Sequence, residues 1–137
     1  MKYILGVDGG GSKTHAVVAS SDGQFLGFGQ GGSSNYHTCG LRTAIQEINH
    51  CVEKALMQAQ VPLESIHVGA FCLAGAAFPQ DYQALKEGIY QVLPIRRILG
   101  KNDVMAALKS GWTRPYGIVV VSGTGINAGG ISREGRE

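Results

Sequence analysis

The sequence is short of the features that mark several protein classes. Its three cysteines, Cys39, Cys51 and Cys72, are odd in number and widely spaced, and no C-x-x-C occurs. Neither a disulfide framework nor a zinc or iron–sulfur cradle is indicated, and buried, reduced thiols are expected. Charge is sparse and balanced: 12 Lys+Arg against 10 Asp+Glu give a net +2. That excludes the basic footprint of a nucleic-acid or membrane-surface binder. No apolar run approaches the roughly 20 residues that span a bilayer. The N-terminus enters a strand pattern directly, without a signal-peptide n-region and h-region. No internal repeat or low-complexity tract stands out. These absences together predict a soluble, cytoplasmic protein with no nucleic-acid or membrane partner.

Glycine is abundant instead. Its 21 residues in 137 are roughly twice average usage. They cluster at 9–11, 27–32 and 123–130 with no collagen period. Clustered glycine between apolar runs marks tight loops where backbone approaches something closely. The length and the 44% hydrophobic content suit one domain with a real core.

The apolar pattern predicts an order of elements. Tyr3–Asp8 and Thr14–Ser20 read as strands, and Ser21-Asp22-Gly23 turns into a third, Gln24–Gly29. Ile45, Ile48, Val52, Leu56 and Ala59 recur at helical spacing, giving a helix over Leu41–Ala59 that stops before Pro62. Ile66–Leu73 reads as a buried strand and 81–92 as a helix. A short strand follows at Arg96–Leu99, then a short helix at Val104–Lys109 that Asp103 could open. Tyr116–Val121 and Asn127–Ser132 complete a β-β-β-α-β-α-β-α order followed by two strands, an α/β layer opened by a meander. Thr113-Arg114-Pro115 is the expected boundary, with 1–113 as one domain and 116–137 as the first hairpin of a truncated second one. The apolar strand at 117–121 has to pair with another copy, cover the first domain or stay disordered. An unpaired apolar edge favours association, so a homodimer is expected.

Several loops carry polar chemistry. Asp8-Gly9-Gly10-Gly11-Ser12-Lys13-Thr14 joins two strands. Its glycines can bring amides against a phosphate, its hydroxyls and Lys13 can add donors, and Asp8 can hold a hydrated Mg²⁺. It is not a Walker A loop, because Ser12 takes the required Lys position and a strand follows. Residues 27–32 match G-x-G-x-x-G formally but open no helix, which argues against a dinucleotide site. The loop 31–35 offers Asn35, whose amide can bind sugar hydroxyls, or it is an ordinary polar turn. Leu73–Ala77 ends a strand in small residues, suited to ligand docking or to close helix packing. In Asn102-Asp103 the aspartate is either a helix N-cap or a general base. Ser122-Gly123-Thr124-Gly125 repeats the glycine–hydroxyl design of the first hairpin, and two such hairpins could grip a polyphosphate from two sides.

That constellation resembles the N-terminal half of the actin/sugar kinase/Hsp70 superfamily. It is most similar to the BadF/BadG/BcrA/BcrD-type ATPase family, which includes N-acetylglucosamine and glucosamine kinases. The resemblance implies a ribonuclease H-like (actin-like ATPase) domain. It assigns Asp103 as the catalytic base and Asp8 as the Mg²⁺ holder through water. Gly9, Gly10, Gly11, Ser12, Lys13 and Thr14 fall in its first phosphate motif, and Gly123, Thr124 and Gly125 in its second. Ser34, Asn35 and Asn102 fall at the sugar. ATP and Mg²⁺ are the implied cofactors and an amino sugar the implied substrate. Two departures stand out: Ser12 where Thr is commoner, and Ile126 where Ser is usual, which removes a hydroxyl from the phosphate side. The adenosine-binding segment of the family has no counterpart in these residues, so this length is expected not to turn over alone. Two other readings within reach are an ATPase subunit that drives electron transfer to a partner, and a non-catalytic nucleotide- or sugar-binding module.

Overall fold

Buried and more open positions alternate along Tyr3–Gly9 (β1) and Thr14–Ser20 (β2). Leu5 and Val7 therefore point to the same face as Ala16 and Val18 when the two strands pair antiparallel. The computed structural model describes residues 2–111, 113–123 and 126–137. Phe25–Gly31 (β3) pairs antiparallel with β2. Then come Tyr36–Cys39 (α1), Leu41–Ala59 (α2), a 3₁₀ turn at Leu63–Ser65, Ile66–Leu73 (β4), Pro79–Val92 (α3), Ile98–Asn102 (β5) and Asp103–Ser110 (α4). The five strands form one sheet in the order β3-β2-β1-β4-β5, with β1–β4 and β4–β5 parallel. The predicted α/β layer and its order of strands and longer helices are therefore present. No helix among the described residues is long and apolar enough to cross a membrane.

Helix α2 buries Ala44, Ile45, Ile48, Cys51, Val52 and Ala55, a stripe at steps of three and four. It lies directly on β3 because that strand has glycine where the helix crosses. A Cβ on Gly29 would stand 1.9 Å from the Cys51 carbonyl oxygen, and one on Gly27 would stand 2.2 Å from that of Ala55. The G-x-G-x-x-G spacing is thus a packing device, and Cys51 Sγ donates to Gly29 O at 3.1 Å across the contact. Ile48, Phe71, Ile89, Leu93 and Ile95 are fully buried around it. Each such side chain contributes roughly 1.5–3 kcal/mol of burial. The helix ends at Gln60 in the left-handed region (φ 55°), two residues before Pro62.

The structure corrects several expectations. β3 runs to Gly31, α3 begins at Pro79, and α1 is a four-residue helix that the periodicity did not reveal. The strand expected at Arg96–Leu99 is shifted to Ile98–Asn102, because Ile95 is drawn into the core and pairing with β4 starts only at Ile98. Asp103 is not the cap of α4. Asn102 is, with extended backbone and its Oδ1 accepting the Val104 N–H at 3.2 Å.

Gly117–Ser122 (β6) and Ile126–Ile131 (β7) form a separate two-stranded sheet. Of the three fates considered, the hairpin covers the first unit. Val119, Val121 and Ile131 pack on Val104, Met105 and Leu108 of α4. Its outer face stays open, with Ile118, Val120 and Ile126 at 80%, 66% and 81% exposure.

Candidate active site

The parallel strands β1, β4 and β5 end side by side, with Gly9 paired to Leu73 and Leu73 to Asn102. In open parallel sheets this carboxyl edge is where ligands bind. Four segments converge on it: the β1–β2 hairpin, the loop 32–35, the loop 74–78 and the start of α4.

The hairpin is closed by the Gly10 N–H donating to Lys13 O at 2.8 Å, which leaves Gly11, Ser12 and Lys13 as an exposed tip. Gly9 sits beneath them against the 32–35 loop. A Cβ there would meet Ser34 Oγ at 2.2 Å and Leu73 Cδ2 at 2.7 Å. Thr14 and Ser34, expected at the phosphate and at the sugar, are engaged inside the fold. Both are fully buried, and the Thr14 hydroxyl lies 2.7 Å from Ser34 Oγ and 2.8 Å from Gly32 O. Buried hydroxyls need partners, and these two find each other and tie the loop to the hairpin.

Asp8 lies on the sheet face opposite Leu5 and Val7. Its register places His15 and Cys72 on either side, with Lys101 beyond Cys72. Its carboxyl is held above the ordinary carboxylate range, first by partial burial and then by repulsion from Asp103, while His15 opposes the shift. Burial pushes the Cys72 thiol up as well, helped by Asp8 and Asp103. Asp8 and Asp103 therefore share one electrostatic site at the sheet edge. Asp103 occupies the first turn of α4, and its Oδ1 is buried with no hydrogen-bond partner among the described residues. An unpaired buried carboxylate oxygen is costly, which makes Asp103 the candidate here for a ligand or proton contact.

The two asparagines differ. Asn102, expected at the substrate, has internal partners: its Nδ2 donates to Ala76 O at 2.7 Å while its Oδ1 caps α4, which ties it to the 74–78 loop. Asn35 caps α1 through Oδ1, which accepts the His37 N–H at 3.2 Å. Its Nδ2 makes no hydrogen bond among the described residues. Asn127 on β7 reaches toward Asn102 Oδ1 at 3.5 Å and lines a cleft of about 500 Å³ with Ala76, Asn102 and Gly129. Nothing singled it out in the sequence beyond its place after the second glycine turn. Gly123 is exposed, while Thr124 and Gly125 of that turn lie outside the described residues. A larger groove of about 570 Å³, lined by Cys72, Lys101, Met105 and Lys109, runs along the sheet beside α4.

Fold and edge geometry define a class: a ribonuclease H-like domain of the actin-like ATPase kind, with paired carboxylates and a glycine hairpin at its ligand edge. Residues 5–137 match the BadF/BadG/BcrA/BcrD ATPase family, and the chain belongs to it. The chain is similar to an N-acetylmuramic acid/N-acetylglucosamine kinase of Clostridium acetobutylicum, 32% identical over 140 residues that cover 99% of this chain and 44% of the relative. It is 29% identical to an N-acetyl-D-glucosamine kinase of Dictyostelium discoideum, over 98% of this chain and 45% of that protein. Among solved structures, a candidate N-acetylglucosamine kinase of Chromobacterium violaceum superposes with a TM-score of 0.76 at 26% identity, over 99% of this chain and 47% of that one. The chain thus spans somewhat less than half the length of the curated relatives it matches.

Proposed function

We propose that this chain is the catalytic-base lobe of an ATP-dependent kinase for an amino sugar, N-acetylglucosamine or glucosamine. The observation that carries the reading is the buried Oδ1 of Asp103, without a hydrogen-bond partner among the described residues, beside Asp8 at the carboxyl edge of the sheet. In this reading Asp103 accepts the proton of the attacking sugar hydroxyl, whose oxygen then takes the γ-phosphoryl group of ATP. The free amide of Asn35 orients the sugar. The exposed tip residues Gly11, Ser12 and Lys13 meet the phosphates, Gly9 and Gly10 build the hairpin behind them, and the second glycine motif, Gly123, Thr124 and Gly125, supplies further donors.

The carboxylate pair suits a hard cation that keeps most of its waters, since two oxygens from the protein are enough for Mg²⁺ in such sites. Asp8 would hold it through water, and the ion would supply neutralisation of phosphate charge. Positioning and charge neutralisation account for most of the acceleration in phosphoryl transfer. Residues 1–113 then form the first lobe and 116–137 open a second. The open face of Ile118, Val120 and Ile126 supports pairing of two copies.

The test is ADP release by the full-length protein with Mg·ATP and a panel of sugars. Release that requires an amino sugar is the expected result. Sugar-independent release would replace the kinase with an ATPase driving a partner, and ATP binding without release would leave a sensing module.

A further inference from the structure

The loop between β4 and α3 touches three of the segments that carry proposed site residues. The Ala74 N–H donates to Gly9 O at 2.7 Å, at the foot of the hairpin. Gly75 O lies 3.0 Å from His37 Nε2 on α1, and Ala76 O accepts from Asn102 Nδ2 beside Asp103. Gly75 adopts φ +87°, and a Cβ there would stand 2.7 Å from Asn35 Oδ1, so the loop also forms the wall against which Asn35 rests.

This loop is anchored by one carboxylate. Asp81 is 3% exposed, the only buried charged residue among those described. Its Oδ2 accepts the N–H groups of Ala77 and Phe78 at 3.1 and 2.8 Å, which is all that capping α3 requires. Its Oδ1 does something else. It accepts the phenol of Tyr36, 45 residues earlier in the chain, and lies 3.6 Å from His37 Nε2. The Tyr36 phenol is the main cause holding the Asp81 carboxyl below the ordinary range, followed by the Phe78 N–H, with burial opposing.

We propose that Asp81 is a positioning residue for the sugar site: its carboxylate clamps the Tyr36–His37 turn to the 74–78 loop and thereby fixes Asn35 relative to Asp103. The inference rests on the kinase reading above. Its logic is local. Helix α1 has four residues, far too few to hold its own shape. The position of Asn35 is therefore set by what the rest of that turn is tied to, and the side-chain ties of Tyr36 and His37 lead to Asp81 and Gly75. Among the described residues no hydrogen bond joins Gly11, Ser12 or Lys13 to Tyr36, His37 or Asp81, so loosening the clamp disturbs the sugar and spares the nucleotide.

Tyr36→Phe removes the donor and keeps the ring; Asp81→Asn removes the charge and keeps the shape. In the full-length protein, Tyr36→Phe is expected to raise the KM for the amino sugar about tenfold, the effect of one lost orienting hydrogen bond. Its kcat and its KM for Mg·ATP should stay within about twofold of wild type. Adding Tyr36→Phe to Asn35→Ala should cost nothing more than Asn35→Ala alone, because the clamp acts through Asn35. An unchanged sugar KM, an equal loss for both substrates, or full additivity with Asn35→Ala would overturn the proposal. Because Asp81→Asn removes the α3 cap too and can unfold the loop, Tyr36→Phe is the deciding variant. A wild-type protein without sugar-dependent turnover would overturn the kinase reading and this inference with it. That failure is recognisable because it appears before any variant is made.

Discussion

Gly9→Ala tests whether the hairpin and the 32–35 loop are as tightly joined as the structure places them. The new methyl carbon would stand 2.2 Å from Ser34 Oγ and 2.7 Å from Leu73 Cδ2. The leucine methyl can rotate away, but Ser34 is fully buried and its oxygen pairs with Thr14. Overpacking of this kind costs about 1–3 kcal/mol. Losing the Thr14–Ser34 hydrogen bond adds about 1 kcal/mol, since Thr14 keeps Gly32 O as acceptor. At about 3–5 °C per kcal/mol for a domain of this size, the melting temperature of the 137-residue chain should fall by about 10 °C. Ser34→Ala supplies the control. It deletes the oxygen at 2.2 Å and leaves a Cβ at 3.5 Å, an ordinary contact. The double variant should therefore be more stable than the sum of the two single losses predicts, by about 1 kcal/mol or more. Thermal unfolding followed by circular dichroism measures all four proteins. A Gly9→Ala protein that melts with wild type, or strict additivity in the double variant, would refute the close contact.

Three further outcomes follow from the site and the core. The Cys51 thiol is pushed up to about 11 by burial, so native protein treated with iodoacetamide at pH 8 should leave Cys51 unlabelled until it unfolds; early labelling seen by mass spectrometry would contradict its place under α2. Partial burial and Asp103 hold the Asp8 carboxyl above the ordinary carboxylate range in the folded chain, so its ionisation destabilises the ligand-free chain as pH rises through that range. Asp8→Asn should therefore melt higher than wild type at neutral pH, with the difference vanishing below about pH 3.8, and a variant that is less stable at pH 7 would reverse the sign of the argument. Asn35→Ala should weaken amino-sugar use by roughly 1–3 kcal/mol while sparing Mg·ATP affinity, and an equal loss of nucleotide binding by calorimetry would reject its assignment.

Local signals in the sequence carried the strand meander and α2, because both rest on periodicity within a short window. Gly27 and Gly29 were readable as glycine needed for close approach, but only the fold showed that the approaching group is the backbone of α2. Strand β5 was displaced in the reading because Ile95 and Arg96 look as strand-like as Ile98, and parallel pairing with residues some thirty positions earlier decides the matter. Helix α1 is too short to show a period, and its one signal was an asparagine before a polar turn. The Asn102–Asp103 pair was ambiguous for a physical reason: either side chain can cap a helix. Taking Asn102 as the cap leaves Asp103 with an oxygen that none of the described residues satisfies, and that single choice separates a structural aspartate from a candidate base. Ser34 and Thr14 could not be recognised as internal from their chemistry, since a hydroxyl in a glycine loop serves a ligand or a neighbour equally well.

The most direct test of the account is Asp103→Asn in the full-length protein, with turnover and nucleotide binding measured separately. The amide keeps the shape of the side chain and removes the base. Sugar-dependent kcat should fall by roughly 10²–10⁴, the usual contribution of a positioned general base, while calorimetric Mg·ATP affinity stays close to wild type. The variant should melt no lower than wild type, because the substitution neutralises a carboxylate whose buried oxygen has no partner among the described residues. A variant that keeps the wild-type kcat would reduce Asp103 to the first residue of α4 and contradict the central claim.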